Sequence, residues 1–366
     1  MSFDIPLFKM YWDEDDINAV SSVIRRGTYW AMGPEIQDFE REIAEYIGTK
    51  YAVVFNSGTS ALHAVLLACD IKPKDEVIVP SLTFISTVNT VLFTNGKPVF
   101  ADIENKTYAL NADDVKEKIT AKTRVIMPVH YGGCPAYDIK KLREIADDHD
   151  LILIEDAAAA FGASIKNQKI GTFGDAAMFS FCQNKIITTG EGGVVVTDSK
   201  DIYKKLKLIV SHGKKNNDYV CIGYNFRMPS INAALGISQL KKVDKLISMR
   251  QSVADKYNKK LKGIRSIHPF LPPEGFRHVY WIYSIIVDEN MRDDLQRYLL
   301  ENKIYCKLYY EPVHLTSLYK SLFGCKKGLL PNTEDFCDKS LSLPMFPHLQ
   351  EEEIDYIVQC VRNKMG

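Results

Sequence analysis

The chain has 366 residues, 46% of them apolar and 25% charged. At roughly 100 to 200 residues per domain, this length predicts about two domains with a substantial core, and it excludes a peptide hormone, a small disulfide scaffold and a disordered chain. Lys plus Arg and Asp plus Glu both number 46, so the net charge is zero, a poor match to proteins that hold nucleic acid or an anionic membrane by bulk charge.

The opening MSFDIPLFKMYWDEDD lacks the basic and then apolar regions of a secretory signal, and no run of about 18 apolar residues follows. A cytoplasmic protein without a membrane segment is expected. Cys69, Cys134, Cys182, Cys221, Cys306, Cys325, Cys337 and Cys360 show neither a C-x-x-C pair nor metal-ligand spacing. They read as free thiols in a reducing compartment.

From residue 13 to 25, Ile17, Val20, Val23 and Ile24 recur at helical spacing. Short apolar runs then alternate with helical patterns, the signature of an α/β domain. Strands are predicted at 52–56, 76–80, 98–102, 124–129, 151–155, 176–181 and 193–197. Several are continuously apolar, as parallel strands buried on both faces are. Helices at 60–69 and 138–148 cover the sheet, the second with Ile139, Leu142, Ile145 and Ala146 on one face. Lys204, Lys205 and Lys207 form a solvated helix face.

Near residue 245 the pattern changes to a polar helix at 241–262, then Pro269, Pro272 and Pro273, then alternation at 279–287. The expected division is a large α/β domain over 1–245 and a smaller α+β domain over 246–366.

Three segments carry chemistry. Residues 52–62 read as a strand, a turn through Ser57, Gly58 and Thr59, and a helix. The helix start is either a plain cap or an anion seat built from free N–H groups and hydroxyls. Residues 151–156 form an apolar strand that delivers Glu155 and Asp156 at its C-terminal end, where open α/β sheets bind ligands. Those acids either cap the next helix or hold a metal, a proton or a ring nitrogen. Lys185 follows the strand ending Phe179-Ser180-Phe181 and precedes Thr188-Thr189-Gly190-Glu191-Gly192-Gly193. Partial burial there would lower its pKa and free the amine as nucleophile or base, for which the chemical use is a Schiff base. A phosphate seat, an acid for a pyridinium and such a lysine are the contacts of pyridoxal phosphate.

The order S-G-T-S-A-L, E-D-A-A, F-S-F-x-x-x-K-x-x-T-T-G-E-G-G and Gly223-Tyr224-Asn225-Phe226-Arg227-Met228 resembles the DegT/DnrJ/EryC1/StrS family of nucleotide-sugar aminotransferases, of the pyridoxal phosphate fold type I. The resemblance runs from Pro6 to the C-terminus. It implies pyridoxal 5'-phosphate as cofactor, a nucleotide-linked keto sugar and an amino-acid donor, most often glutamate, as substrates, and a homodimer with shared active sites. Lys185 is then the Schiff-base lysine and proton carrier, and Asp156 the partner of the ring nitrogen. Gly58, Thr59 and Ser180 hold the phosphate, with Asn225 reaching in from the second subunit, and Phe84 stacks on the ring.

The chain departs from the family at Ala159, where Gln, His or Glu is usual. Dehydrating relatives replace the lysine by His, so Lys185 implies transamination. Residues 184–193 read N-K-I-I-T-T-G-E-G-G, as in members that aminate the sugar's 4-position. That implies a 4-keto-6-deoxy substrate, with a GDP-linked perosamine-type product first and UDP-linked amino sugars second. No metal is expected, because His63, His212, His278 and His314 lack ligand spacing. His130 and His314 match family segments near the substrate, and the sequence leaves open whether either touches it. The competing reading, an enzyme acting on free amino acids, would use Arg292, Arg297 or Arg362 to grip a carboxylate. A sensor on the same fold would need neither Lys185 nor Asp156.

Overall fold

The apolar runs become the seven strands of one sheet. In the computed structural model, which describes residues 3–288 and 290–366, these are β1 (Tyr51–Phe55), β2 (Glu76–Pro80), β3 (Lys97–Ala101), β4 (Thr123–Ile126), β5 (Ile152–Asp156), β6 (Ala176–Ser180) and β7 (Gly193–Thr197). Their order is β1-β7-β6-β5-β4-β2-β3. Neighbours from β6 through to β3 are parallel, whereas β7 runs antiparallel to both β1 and β6. The run expected at 124–129 is a regular strand only to Ile126; Met127 N–H still donates to Ile78 O at 2.9 Å, and Pro128 has no N–H to carry the ladder on. A single bridge from Val129 to Asp156 continues it.

Alternation along the strands feeds two cores. Val54, Ile78, Ile126, Leu153 and Val194 pack on one face, and Val53, Val77, Val125, Ile154 and Val195 on the other. Among the covering helices are α1 (Glu14–Arg26), α2 (Glu35–Ile47), α3 (Gly58–Ala68) and α4 (Ile85–Phe93). Asp13 caps α1 in a capping box with Asp16, and Gly27, at φ 74°, ends it in the left-handed region that suits glycine. Lys205 pairs with Asp70 and Lys207 with Glu40, so the basic cluster is anchored and not merely solvated.

A third core gathers Ile5, Val253, Tyr257, Leu261, Tyr283, Ile285, Leu341, Leu343, Ile357 and Val361. It lies on an antiparallel sheet ordered β8 (Ile267–Pro269), β9 (Tyr283–Val287), β10 (Ser340–Leu343). The strand expected at 279–287 begins only at Tyr283, after Tyr280 takes a φ of 49°. The helix Val243–Leu261 serves two cores: Val243, Leu246 and Ile247 join the large sheet's, while Val253, Ala254, Tyr257 and Leu261 join the third. All eight cysteines are free thiols. Among the described residues no helix is long and apolar enough to cross a membrane.

Candidate active site

The C-terminal ends of β1, β2, β5 and β6 open on one cavity of about 340 Å³, lined by Gly58, Thr59, Phe84, Asp156, Ser180 and Lys185 among others. This is the edge at which α/β sheets bind ligands. Six of the seven residues singled out for the cofactor therefore meet in one place.

Asp156 ends β5 and is 3% exposed. The Thr87 hydroxyl donates to its Oδ2 at 2.7 Å, and the Ala158 N–H donates to its Oδ1 at 3.1 Å. Burial pushes its pKa above the usual carboxylate range, while Thr87, Ala158 and the Lys185 ammonium pull the other way. Thr87 is itself 2.6 Å from the Thr83 hydroxyl, so a relay of two hydroxyls from the start of α4 fixes the acid.

Lys185 sits in the loop after β6, tied down by Phe181 N–H to Gly192 O at 2.9 Å and Thr189 N–H to Phe181 O at 3.0 Å. Its Nζ lies 3.7 Å from the centroid of the Trp281 ring, and the Trp281 indole N–H donates to Asn184 O at 2.8 Å. Lys185 borders the cavity on one side and is packed by protein on the others. Burial lowers its pKa to about 8, against the upward pull of Asp156, Cys182 and Glu191. About a tenth of the amine is neutral at pH 7 from that value.

At the start of α3 the Ser57 hydroxyl accepts the Ser60 N–H, so Ser57 is a true cap. The Gly58 and Thr59 N–H groups, in the first helical turn, have no intrahelical acceptor. The Thr59 and Ser86 hydroxyls are 2.8 Å apart. A Cβ on Gly58 would stand 3.1 Å from Ser180 Cβ, so glycine admits the close approach of β6. Neutral N–H and hydroxyl donors at a helix N-terminus suit a phosphate, the buried acid suits a protonated ring nitrogen, and the amine suits an aldehyde. The residues present fit pyridoxal phosphate.

Phe84 is 55% exposed, which excludes a plain core phenylalanine, and its ring centroid is 5.7 Å from that of Tyr310. Asn225 does not line the cavity of its own chain. Its carbonyl accepts from Asn56 Nδ2 at 3.3 Å, beside the turn into α3.

A profile of the DegT/DnrJ/EryC1/StrS aminotransferase family matches residues 11–362. The chain belongs to this family. Similar members of the DegT/DnrJ/EryC1/StrS family include a GDP-perosamine synthase of Vibrio cholerae, 36% identical over 98% of each chain. Among solved structures, Helicobacter pylori PseC, an aminotransferase involved in the biosynthesis of pseudoaminic acid, superposes with a TM-score of 0.94 at 29% identity over 99% of each chain. NtdA of Bacillus subtilis, solved with the cofactor PMP, gives a TM-score of 0.88 at 29% identity over 96% of this chain and 81% of its own.

Within this DegT/DnrJ/EryC1/StrS site, Ala159 borders the cavity with a methyl group alone. His130 lines the cavity, but its ring is committed: Nδ1 accepts the Ala136 N–H at 2.9 Å and Nε2 meets Glu155 at 3.0 Å. His314 is absent from the lining and buried between Ser81 and Glu334, at 2.7 and 3.0 Å. His278 accepts the Tyr280 N–H, and burial depresses its pKa to about 3. None of Arg292, Arg297 and Arg362 lines the cavity; they contact Asp293, Asp294 and Lys260 O instead. The sequence reading missed Ser86, Thr87, Trp281 and Lys307, which line the site together with Tyr309 and Tyr310. Only Thr83 and Thr87, four apart just beyond an apolar strand, left a local signal.

Proposed function

We propose that this chain is a pyridoxal-phosphate-dependent aminotransferase that moves an amino group from an amino acid, L-glutamate first, onto a nucleotide-linked 4-keto-6-deoxy sugar. The observation that carries the reading is the meeting of the Lys185 amine, the Asp156 carboxylate and the α3 N-terminus in one cavity. Pyridoxal phosphate bound there supplies an electrophilic carbonyl and a ring that withdraws electrons.

The chain's own residues do the rest. Asp156 keeps a proton on the ring nitrogen, and Thr87 with Ala158 orients the carboxylate for that task. Gly58, Thr59 and Ser180 would bind the phosphate, and Phe84 would cover a ring face. Lys185 Nζ would hold the cofactor and, when released as a free amine with its pKa near 8, would accept and return a proton close to neutral pH. Trp281 shields that amine from water on one side.

The sugar's 4-position is favoured by the turn Asn184 to Gly193 and by likeness to the GDP-perosamine synthase. A GDP-linked product ranks first, and a cytoplasmic glycan or polysaccharide precursor is the expected use. The active unit is a homodimer in which Asn225 completes the partner's phosphate seat. In support, Asn225 lies outside its own cavity, and Tyr219, Val220 and Ile222 nearby are exposed, Ile222 by 83%. The large domain over 1–245 binds the cofactor, and 246–366 forms the small domain.

Reduction with borohydride followed by peptide mapping tests the core of this reading. The pyridoxyl label should fall on Lys185, and Lys185→Ala should fold but lose the yellow colour. A label on another lysine would sink the assignment.

A further inference from the structure

Among the described residues, two carboxyl and two amine side chains line the cavity: Asp156, Lys185, Glu191 and Lys307. The first two serve the cofactor. Glu191 and Lys307 are exposed, so they stand towards solvent. Glu191 Oε1 accepts the Cys182 thiol at 3.5 Å, while the Lys307 ammonium enters no ion pair among the described residues. An uncommitted cation at the mouth of a cavity whose phosphate seat is otherwise built of neutral donors calls for an anion of its own.

Its placement says which part of a ligand it meets. The Lys307 backbone is clamped to β10, donating to Ser342 O at 3.3 Å and accepting the Ser342 N–H at 2.9 Å. Its Nζ rests 4.3 Å from the centroid of the Tyr309 ring. That ring stands 5.0 Å from Trp281, which in turn has Lys185 Nζ 3.7 Å from its ring centroid. A continuous aromatic wall thus runs from the reacting amine to the free cation. Its three contacts laid end to end set an upper limit on the separation of the two ammonium groups.

We propose that Lys307 is a specificity-determining residue that grips the diphosphate of the nucleotide sugar while the sugar lies along Trp281 and Tyr309 towards Lys185. This rests on the nucleotide-sugar reading above. Lysine serves phosphates as a point charge. The clamp and the ring contact hold it in place beforehand, which reduces the side-chain ordering that binding otherwise costs.

The test uses the holoenzyme and GDP, UDP and dTDP, each beside its monophosphate, by calorimetry. Lys307→Met keeps the apolar stem and removes the charge, and Lys307→Arg restores it. Loss of one charge-assisted contact predicts about tenfold weaker diphosphate binding in Lys307→Met, a smaller loss for the monophosphate, and recovery in Lys307→Arg. Diphosphate affinity in Lys307→Met equal to that of the parent would overturn the proposal and leave the nucleotide-sugar reading standing. So would a rise in the half-saturating glutamate concentration in place of the loss of diphosphate affinity, because it would assign Lys307 to the donor's carboxylate. A parent enzyme that binds none of the three diphosphates overturns both.

Discussion

Replacing Thr87 with valine keeps the shape of the side chain and removes one hydroxyl. Among the described residues that hydroxyl is the only side-chain donor to Asp156, at 2.7 Å, and it links the acid to Thr83. A hydrogen bond to a charged group is worth about 1.5 to 3 kcal/mol, and one pKa unit corresponds to about 1.4 kcal/mol. Asp156, already raised by burial and held back in part by the Thr87 hydrogen bond, should therefore rise further once that donor is gone. Turnover that needs the carboxylate form then fails at a higher pH on the acid side.

Stability gives a second reading of the same change. An acid whose folded pKa lies above its unfolded value burdens the fold once it ionises, so the cost is full above the folded pKa and disappears below the unfolded one. The melting deficit of cofactor-free Thr87→Val should be largest near neutral pH and should close as pH falls towards the ordinary carboxylate range. The assays are the pH profile of turnover and thermal melts at several pH values. Acid limbs that superimpose for parent and variant would refute the assignment of Thr87 as the group that holds Asp156 ionised.

In the cofactor-free protein, acetylation of Lys185 should rise about tenfold per pH unit below its pKa of about 8 and level off above it; mass spectrometry of the peptide carrying Lys185 reads this, and a rise continuing to the pH of ordinary lysines would contradict the lowered value. Mixing Lys185→Ala with Asn225→Ala subunits should restore a measurable fraction of activity in hybrids, each having one complete site. Activity that stays lost in demonstrated hybrids would mean that Asn225 does not serve the partner. With matched 3-keto and 4-keto nucleotide sugars and glutamate, NMR should place the new amine at the 4-position. Amination of the 3-keto substrate alone would overturn that choice without touching the aminotransferase assignment.

The parts of the site legible in the sequence are those that one strand delivers together with its own loop. Asp156 ends an apolar run, Lys185 follows another, and Gly58 opens a helix after a third, so each bears a local mark of lying at the sheet's edge. Strand direction is different: the core residues Val194, Val195 and Val196 of β7 are buried on both faces, and such a run reads alike whether its neighbours are parallel or antiparallel. Trp281, Lys307, Tyr309 and Tyr310 reach the cavity from more than ninety positions beyond Lys185. Their place depends on tertiary contacts such as Trp281 to Asn184, for which adjacent residues carry no periodicity. His314 was ambiguous for a related reason, since an imidazole held between Ser81 and Glu334 has the same sequence appearance as one that meets a ligand.

The helix Val243–Leu261 has a bearing on how the molecule comes apart. Its 19 residues span about 28 Å, and its first turns and its later ones are embedded in different cores. Melting either core strips one flank of the helix, and a helix with half its packing gone is marginal in water. Loss of one core should therefore be transmitted to the other through a shared rod, and calorimetry should show the two unfolding in one cooperative transition. Cleaving the chain at either end of that rod leaves one fragment short of a wall, so the halves are not independent folding modules.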